Sequence, residues 1–365
     1  MQRRTFLQCG LGTAFAAPLI SAVQQEKLDA ATGVLTKAAA DGQVSAAVLY
    51  VRHGKSLFAK SFGTSKSVDD LFLLASISKP MSVAALMTLY DQGKFRLDDP
   101  VKKFIPEFTG GAKDKIRVRQ LLTHVSGLPD QLPENKSLRK RHAKLSEFVE
   151  RVIRTPLLSA PDSQYRYSSM GILVASEIAH RISGTGFLKF IDKTIFRPLQ
   201  MKHSALGLGM FKLEETMRCQ VKNAAPESGS GDPTAKEWDW NSPFWRKLGS
   251  PWGGVHASAP DVARFFAEFL HPEGKVFKPE IARLMLRNHN HQGLAPRGLG
   301  FGIGARVGSP GCSKKTFGHS GATGTLAWAD PTTDTICVVL TTLPGRAANP
   351  HPRKLVSDRV AKAVD

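Results

Sequence analysis

The chain holds only four cysteines in 365 residues, and their spacings match no zinc-binding pattern. So few cannot staple a chain of this length into a disulfide scaffold. No stretch approaches the roughly 18 consecutive apolar residues that a membrane-spanning helix needs. No repeat dominates, and 42% of the residues are hydrophobic while 22% are charged, which excludes collagen-like and wholly disordered chains. Acidic residues are scarce as well: 31 Asp and Glu stand against 50 Lys and Arg, a formal net charge of +19. An excess of that size suits nucleic acid or an anionic surface, but the basic residues are mostly scattered. The densest run, Lys136, Arg139, Lys140, Arg141 and Lys144, has no aromatic residue interleaved and reads as a solvated face. No nucleic-acid partner is expected. A globular enzyme or binding protein remains.

At the N-terminus, Arg3-Arg4-Thr5-Phe6-Leu7 precedes a weakly apolar stretch from Leu11 to Ala22 that Pro18 interrupts. That length suits a signal-peptide core and not a membrane span. The paired arginines resemble a twin-arginine export signal, with Gln2 and Gln8 in place of the usual flanking residues. Residues 1–22 are therefore read as an export segment, and the mature protein is expected in the periplasm or outside a bacterial cell. Cys9 lacks the small residue before it that a lipid anchor requires. In an oxidising compartment Cys219, Cys312 and Cys337 form at most one pair, and three buried thiols acting as small hydrophobes is the preferred reading.

Hydrophobic periodicity gives an α/β (α+β) outline. Val44–Val51 and Leu57–Phe62 flank His53-Gly54-Lys55 as a hairpin. Ile77, Met81, Ala84, Ala85 and Leu89 recur at helical spacing, and helices are predicted from Ser146, over Ser168–Ile182 and around Phe187–Ile195. Residues 223–236 read as a polar loop. Ser258-Ala259-Pro260-Asp261 resembles a capping box before Val262–Leu270. Strands return at Leu299–Val307, Gly324–Ala329 and Thr335–Thr342, before a last helix over Arg353–Ala363. Strands at both ends imply one antiparallel sheet closed by both termini. Residues 28–95 and 254–365 are assigned to it, and 96–253 to an inserted, mainly helical domain.

Three short motifs carry chemistry. In Ser76-Ile77-Ser78-Lys79 the serine and lysine sit one helical turn apart on one face, so a basic amine can take the proton of a hydroxyl that is otherwise a poor nucleophile. A helix N-terminus there favours an oxyanion. Tyr165-Arg166-Tyr167-Ser168-Ser169 opens a helix and offers Tyr167 as a proton relay. His319-Ser320-Gly321-Ala322 leads into a strand. Gly321, without Cβ, is read as letting substrate lie along the strand edge, His319 as positioning a carboxylate, and the Ala322 N–H as half of an oxyanion hole.

In order, Ala75-Ser76-Ile77-Ser78-Lys79-Pro80, Leu121-Leu122-Thr123-His124-Val125-Ser126-Gly127-Leu128-Pro129, Tyr167-Ser168-Ser169 and Gly318-His319-Ser320-Gly321 resemble the serine β-lactamase-related family. That family includes class C β-lactamases, D-alanyl-D-alanine carboxypeptidases and β-lactamase-like serine esterases. Asp91-Gln92-Gly93-Lys94, Arg197-Pro198-Leu199-Gln200-Met201 and Gly253-Gly254 through Ser258-Ala259-Pro260-Asp261 extend the likeness over roughly residues 28–362. The resemblance implies a β-lactamase/transpeptidase-like fold with Ser76 as acylated nucleophile, Lys79 as its base and Tyr167 as relay. It also implies an oxyanion hole from the N–H groups of Ser76 and Ala322, and substrate contacts from Ser169, His319, Ser320 and Gly321. No metal or organic cofactor is implied. Ser169 replaces an asparagine of the family pattern, and His319-Ser320-Gly321 replaces Lys-Thr-Gly. A neutral imidazole holds a carboxylate less firmly than an ammonium, so efficient β-lactam hydrolysis is not expected. An esterase on small or acyl esters is the first reading. A D-alanyl-D-alanine-type carboxypeptidase, amidase or weak β-lactamase is the second, and a non-catalytic module that binds cell-wall peptides or penicillins is the third. Trp238, Trp240, Trp245 and Trp252 suit an apolar subsite or a core cover, His289 and His291 lack a carboxylate for a metal site, and His124 reads as a loop residue.

Overall fold

Along β1 (Ala46–His53), Ala47, Leu49 and Val51 point into one apolar cluster and Ala46 and Val48 into another. That two-residue alternation marks a strand buried on both faces. The computed structural model describes residues 22–364, so the expected export segment lies outside it except for Ala22. A hairpin joins β1 to β2 (Ser56–Gly63). β3 (Phe72–Leu73), β4 (Ser204–Leu206) and β5 (Val255–Ala257) form a small sheet in the order β3-β5-β4. β6 (Gly302–Ile303), β7 (Phe317–Gly321), β8 (Thr325–Asp330) and β9 (Thr335–Thr341) complete the main antiparallel sheet, ordered β2-β1-β9-β8-β7-β6. Pairing of β1 with β9 closes the sheet with both ends of the chain.

Helix α1 (Ala22–Ala40) begins the described chain, and α2 (Ser78–Asp91) follows the hairpin. The stretch 96–253 carries α3 (Val118–Leu122), α4 (Asn135–Lys140), α5 (Leu145–Arg154), α6 (Ser169–Ser183), α7 (Phe187–Ile191) and α8 (Pro243–Leu248). α9 (Ala259–Leu270) and α10 (Pro279–Met285) return to the sheet, and α11 (Pro352–Ala363) ends the fold. Leu28, Ala31 and Leu35 of α1 and Val356 and Val360 of α11 cover one face of the sheet against Leu49, Trp328 and Val339. The other face packs Val48, Ala327 and Val338 into a larger core shared by α2, α6 and α9. α2 is buried along nearly its whole length, which carries Lys79 into the interior.

Two local expectations are corrected. The strand predicted over Leu299–Val307 shrinks to Gly302–Ile303, because Gly300 and Gly304 take positive φ values (+79° and +92°) that break the extended backbone. The helix around Phe187–Ile195 ends as α7 at Ile191 and widens into a π-turn over Asp192–Phe196. Trp238, Trp240, Trp245 and Trp252 are all buried, so they cover the core and line no subsite.

Candidate active site

Ser76 stands in a 3₁₀ turn (Ala75–Ile77) that feeds directly into α2. The residue before it, Ala75, is held at φ +48°, a left-handed conformation that costs a non-glycine residue energy and persists only where its surroundings enforce it. Those surroundings clamp the turn from two sides. Thr323 Oγ1 donates to the Leu73 carbonyl at 2.6 Å, and Thr325 Oγ1 donates to that of Leu74 at 2.8 Å. Opposite, the Leu74 N–H donates to the Val255 carbonyl at 2.9 Å, while the Val255 N–H donates to Ser78 Oγ at 3.0 Å. Gly321 explains itself at this contact. A Cβ there would stand 2.2 Å from the Leu74 oxygen and 2.2 Å from Thr325 Oγ1. The missing side chain makes room for the nucleophile turn. The Arg353 guanidinium, whose pKa burial lowers to about 10 and which stays charged at neutral pH, donates to the carbonyls of Gly321 and Thr325 and fixes the same corner.

One turn beyond Ser76, at the start of α2, Lys79 is 1% exposed. Its Nζ donates to Ser76 Oγ at 3.0 Å and to the Trp252 carbonyl at 2.9 Å. It also lies 4.8 Å from the centre of the Tyr167 ring. The i,i+3 spacing predicted this meeting of Ser76 and Lys79; the topology alone supplies the Trp252 carbonyl.

Tyr167 is set by the start of α6. Ser168 caps that helix, its Oγ accepting from the Gly171 N–H and donating to the Pro129 carbonyl, both at 2.8 Å. Ser169, expected to contact substrate, is instead buried with its N–H and hydroxyl both on Asp130 Oδ1, at 2.9 and 2.6 Å. Its hydroxyl serves the helix start and not the cavity. The Tyr167 ring rests 4.6 Å from that of His124 and 6.1 Å from that of His319. His124 Nδ1 accepts from the Ser168 N–H at 3.2 Å, so His124 braces the tyrosine. Burial, with Arg297 next, holds its pKa well below the usual imidazole range.

His319, on β7, is nearly buried. Its Nδ1 lies 2.8 Å from the Ser320 carbonyl and its Nε2 lies 2.8 Å from Arg297 Nη2. A carbonyl only accepts and a guanidinium only donates, so the ring is neutral with its proton on Nδ1. Burial first, then the charges of Arg297 and Lys79, hold its pKa well below the ordinary value. This revises the expected role: both ring nitrogens already have partners, and the positive charge beside β7 belongs to Arg297. Nothing in the sequence around Arg297 marks it. The fold alone brings it to His319, 22 residues further along the chain, and within 3.3 Å of His124 Nε2.

Ser76, Tyr167, Arg297, His319, Ser320, Gly321 and Ala322 line one cavity of about 710 Å³. His289 and His291 lie elsewhere, bonded to the carbonyls of Leu284 and Asp162 at 2.8 Å each. Among the described residues no group of three or more His, Cys, Asp or Glu comes together as metal ligands would. Cys219, Cys312 and Cys337 are free thiols.

Arg297→Gln removes the nearest cation from His319, so the imidazole takes a proton at higher pH than before. The acid limb of kcat/KM should therefore move to higher pH, while Arg297→Lys should keep it near its original place. A purely structural arginine would lower activity equally at every pH and leave the limb unmoved.

A family model described as Beta-lactamase matches residues 32–361 of the chain. A protein of Salmonella agona named for D-alanyl-D-alanine carboxypeptidase is 25% identical, over 96% of this chain and 91% of that protein. One from Escherichia coli K12 with the same name is 24% identical, over 83% and 79%. Among solved structures, EstCE1, a hydrolase with promiscuous acyltransferase activity, superposes with a TM-score of 0.77 at 19% identity, covering 93% of this chain and all of that one. A penicillin-binding protein homologue from Caulobacter crescentus gives a TM-score of 0.74 at 22% identity, over 93% and 98%.

Proposed function

The chain belongs to the β-lactamase family of serine hydrolases, and on that premise we propose that it is an esterase whose nucleophile is Ser76. The observation that carries the reading is the 3.0 Å contact of Ser76 Oγ with Lys79 Nζ at the floor of the 710 Å³ cavity. Lys79, in its neutral form, accepts the hydroxyl proton as Ser76 Oγ bonds to the ester carbonyl. The N–H groups of Ser76 and Ala322 take the charge that develops on the carbonyl oxygen. Collapse of that intermediate breaks the ester C–O bond, and the departing alkoxide takes the proton back from Lys79, with Tyr167 relaying it. Water then adds to the acyl-enzyme, gives a proton to the same pair and releases the acid, leaving Ser76 Oγ to be reprotonated. Arg297, His319 and His124 hold this apparatus in place.

Two features favour an ester over a β-lactam. Ser169 is bonded to Asp130 and offers the substrate no amide, and His319 offers no free N–H. The charge of Arg297 beside β7 favours the second reading, a carboxypeptidase acting on peptides that end in a carboxylate, and the bacterial relatives carry that name. The mature protein is therefore to be assayed with 4-nitrophenyl butyrate, nitrocefin and a D-Ala-D-Ala peptide. We expect kcat/KM for the ester to exceed the other two at least a hundredfold. Faster release of D-alanine than of 4-nitrophenol would give the site to the peptidase.

Export through residues 1–22 belongs to the same proposal. Among the described residues no helix is long and apolar enough to cross a membrane. Changing Arg3 and Arg4 to lysine should leave precursor in the cytoplasm, and unchanged export would rule out the twin-arginine route.

A further inference from the structure

We propose that this site selects esters bearing an anionic group, a carboxylate or a phosphate, remote from the scissile bond, and that Arg306 and Arg346 are the residues that recognise it. The inference rests on the esterase reading above and names its substrate class. Of the ionisable side chains that line the cavity, Arg297, Arg306, Arg346, Arg353 and Lys354 are cationic, and none is a carboxylate. Three of the five have N–H donors already engaged by the fold. Arg297 donates to His319, Arg353 to the carbonyls of Gly321 and Thr325, and Lys354 pairs with Asp358 one turn along α11.

Arg306 and Arg346 differ. Among the described residues neither has a hydrogen-bonding or ion-pair partner within the protein, and both are exposed at the rim while Ser76 is half-buried below. They come from separate elements, the 3₁₀ turn Ala305–Val307 beside β6 and the loop that follows β9. Each therefore brings its guanidinium to the cavity independently. A guanidinium binds carboxylate or phosphate through paired N–H donors, and two of them at the mouth of a cavity without acids attract and orient an anion. The volume of about 710 Å³ leaves room for a spacer between that anion and the carbonyl at Ser76. Part of the +19 charge that looks scattered in sequence is thus gathered around the reaction.

The test compares the mono-4-nitrophenyl ester of suberic acid with its neutral methyl ester, and with an analogue ending in phosphate. For the wild-type protein kcat/KM should be at least tenfold higher for the anionic esters at low ionic strength, and the ratio should fall as salt screens the exposed arginines. In Arg306→Gln/Arg346→Gln the ratio should drop to about one while turnover of the neutral ester is unchanged. Whichever anion gives the larger ratio is the group recognised. A ratio near one in the wild type, or one that the double substitution leaves intact, overturns the proposal. Binding of suberate against dimethyl suberate to Ser76→Ala protein, with and without the arginine changes, reads the same preference without turnover. The arginine pair is thus judged even if neither ester is hydrolysed, an outcome that would sink the esterase reading alone.

Discussion

Ser76→Ala is expected to lower kcat/KM for 4-nitrophenyl butyrate by at least about a thousandfold, or about 4 kcal/mol of transition-state stabilisation. The substitution removes the only atom proposed to bond to the acyl group, and Lys79 Nζ keeps its hydrogen bond to the Trp252 carbonyl, so the fold should be unaffected. Lys79→Met should fall comparably, because nucleophile and base act as a unit and their losses do not add. The double variant should be no slower than either single one. Stopped assays with purified variants, each checked for an unchanged Tm, decide the matter. A Ser76→Ala protein within tenfold of wild type would remove the nucleophile from this account.

Gly321→Ala should damage both stability and turnover. Contacts of 2.2 Å from a new Cβ to the Leu74 oxygen and to Thr325 Oγ1 are about 1 Å shorter than packed atoms tolerate. Neither neighbour is free to retreat: the Leu74 carbonyl accepts from Thr325, and the Leu74 N–H is tied to Val255. Overpacking against a clamped backbone costs at least about 3 kcal/mol. Relief requires the nucleophile turn and the end of β7 to part, which pulls the N–H groups of Ser76 and Ala322 away from each other. A displacement near 1 Å costs about a hundredfold in rate. Ser320→Ala, a change at the exposed neighbouring position, is the control and should keep the wild-type Tm. Gly321→Ala protein with wild-type Tm and wild-type kcat would show that the nucleophile turn and the end of β7 are not tightly packed.

Much of this site was legible because its first contact is local. Ser76 and Lys79 are three residues apart on a helical pattern, so their meeting follows from helix geometry. The apolar runs of Val44–Val51 and Thr335–Thr342 likewise marked the central strands, and Ser168 and Ser258 announced the helices they cap. What the sequence concealed depends on long-range contacts. Arg297 stands in an unpatterned loop and gains meaning only when the fold brings it against His319 and His124. Ser169 matched a motif position, yet Asp130, 39 residues away, takes its hydroxyl. Gly321 was marked as special for a close approach by substrate, while the contact with the protein's own Leu74 was hidden until the fold placed it there. α1 has too weak an apolar stripe to stand out, although Leu28, Ala31 and Leu35 seat it firmly on the sheet. Short glycine-bounded strands such as β6 are equally faint, since two residues cannot display a period.

Ser76 is tested most directly as the nucleophile by intact-protein and peptide mass spectrometry after treatment of the mature protein with a fluorophosphonate probe. One adduct per chain is expected, mapped to the peptide that contains Ser76 and absent from Ser76→Ala protein. Labelling that persists unchanged in Ser76→Ala, or that maps to another serine, would contradict it.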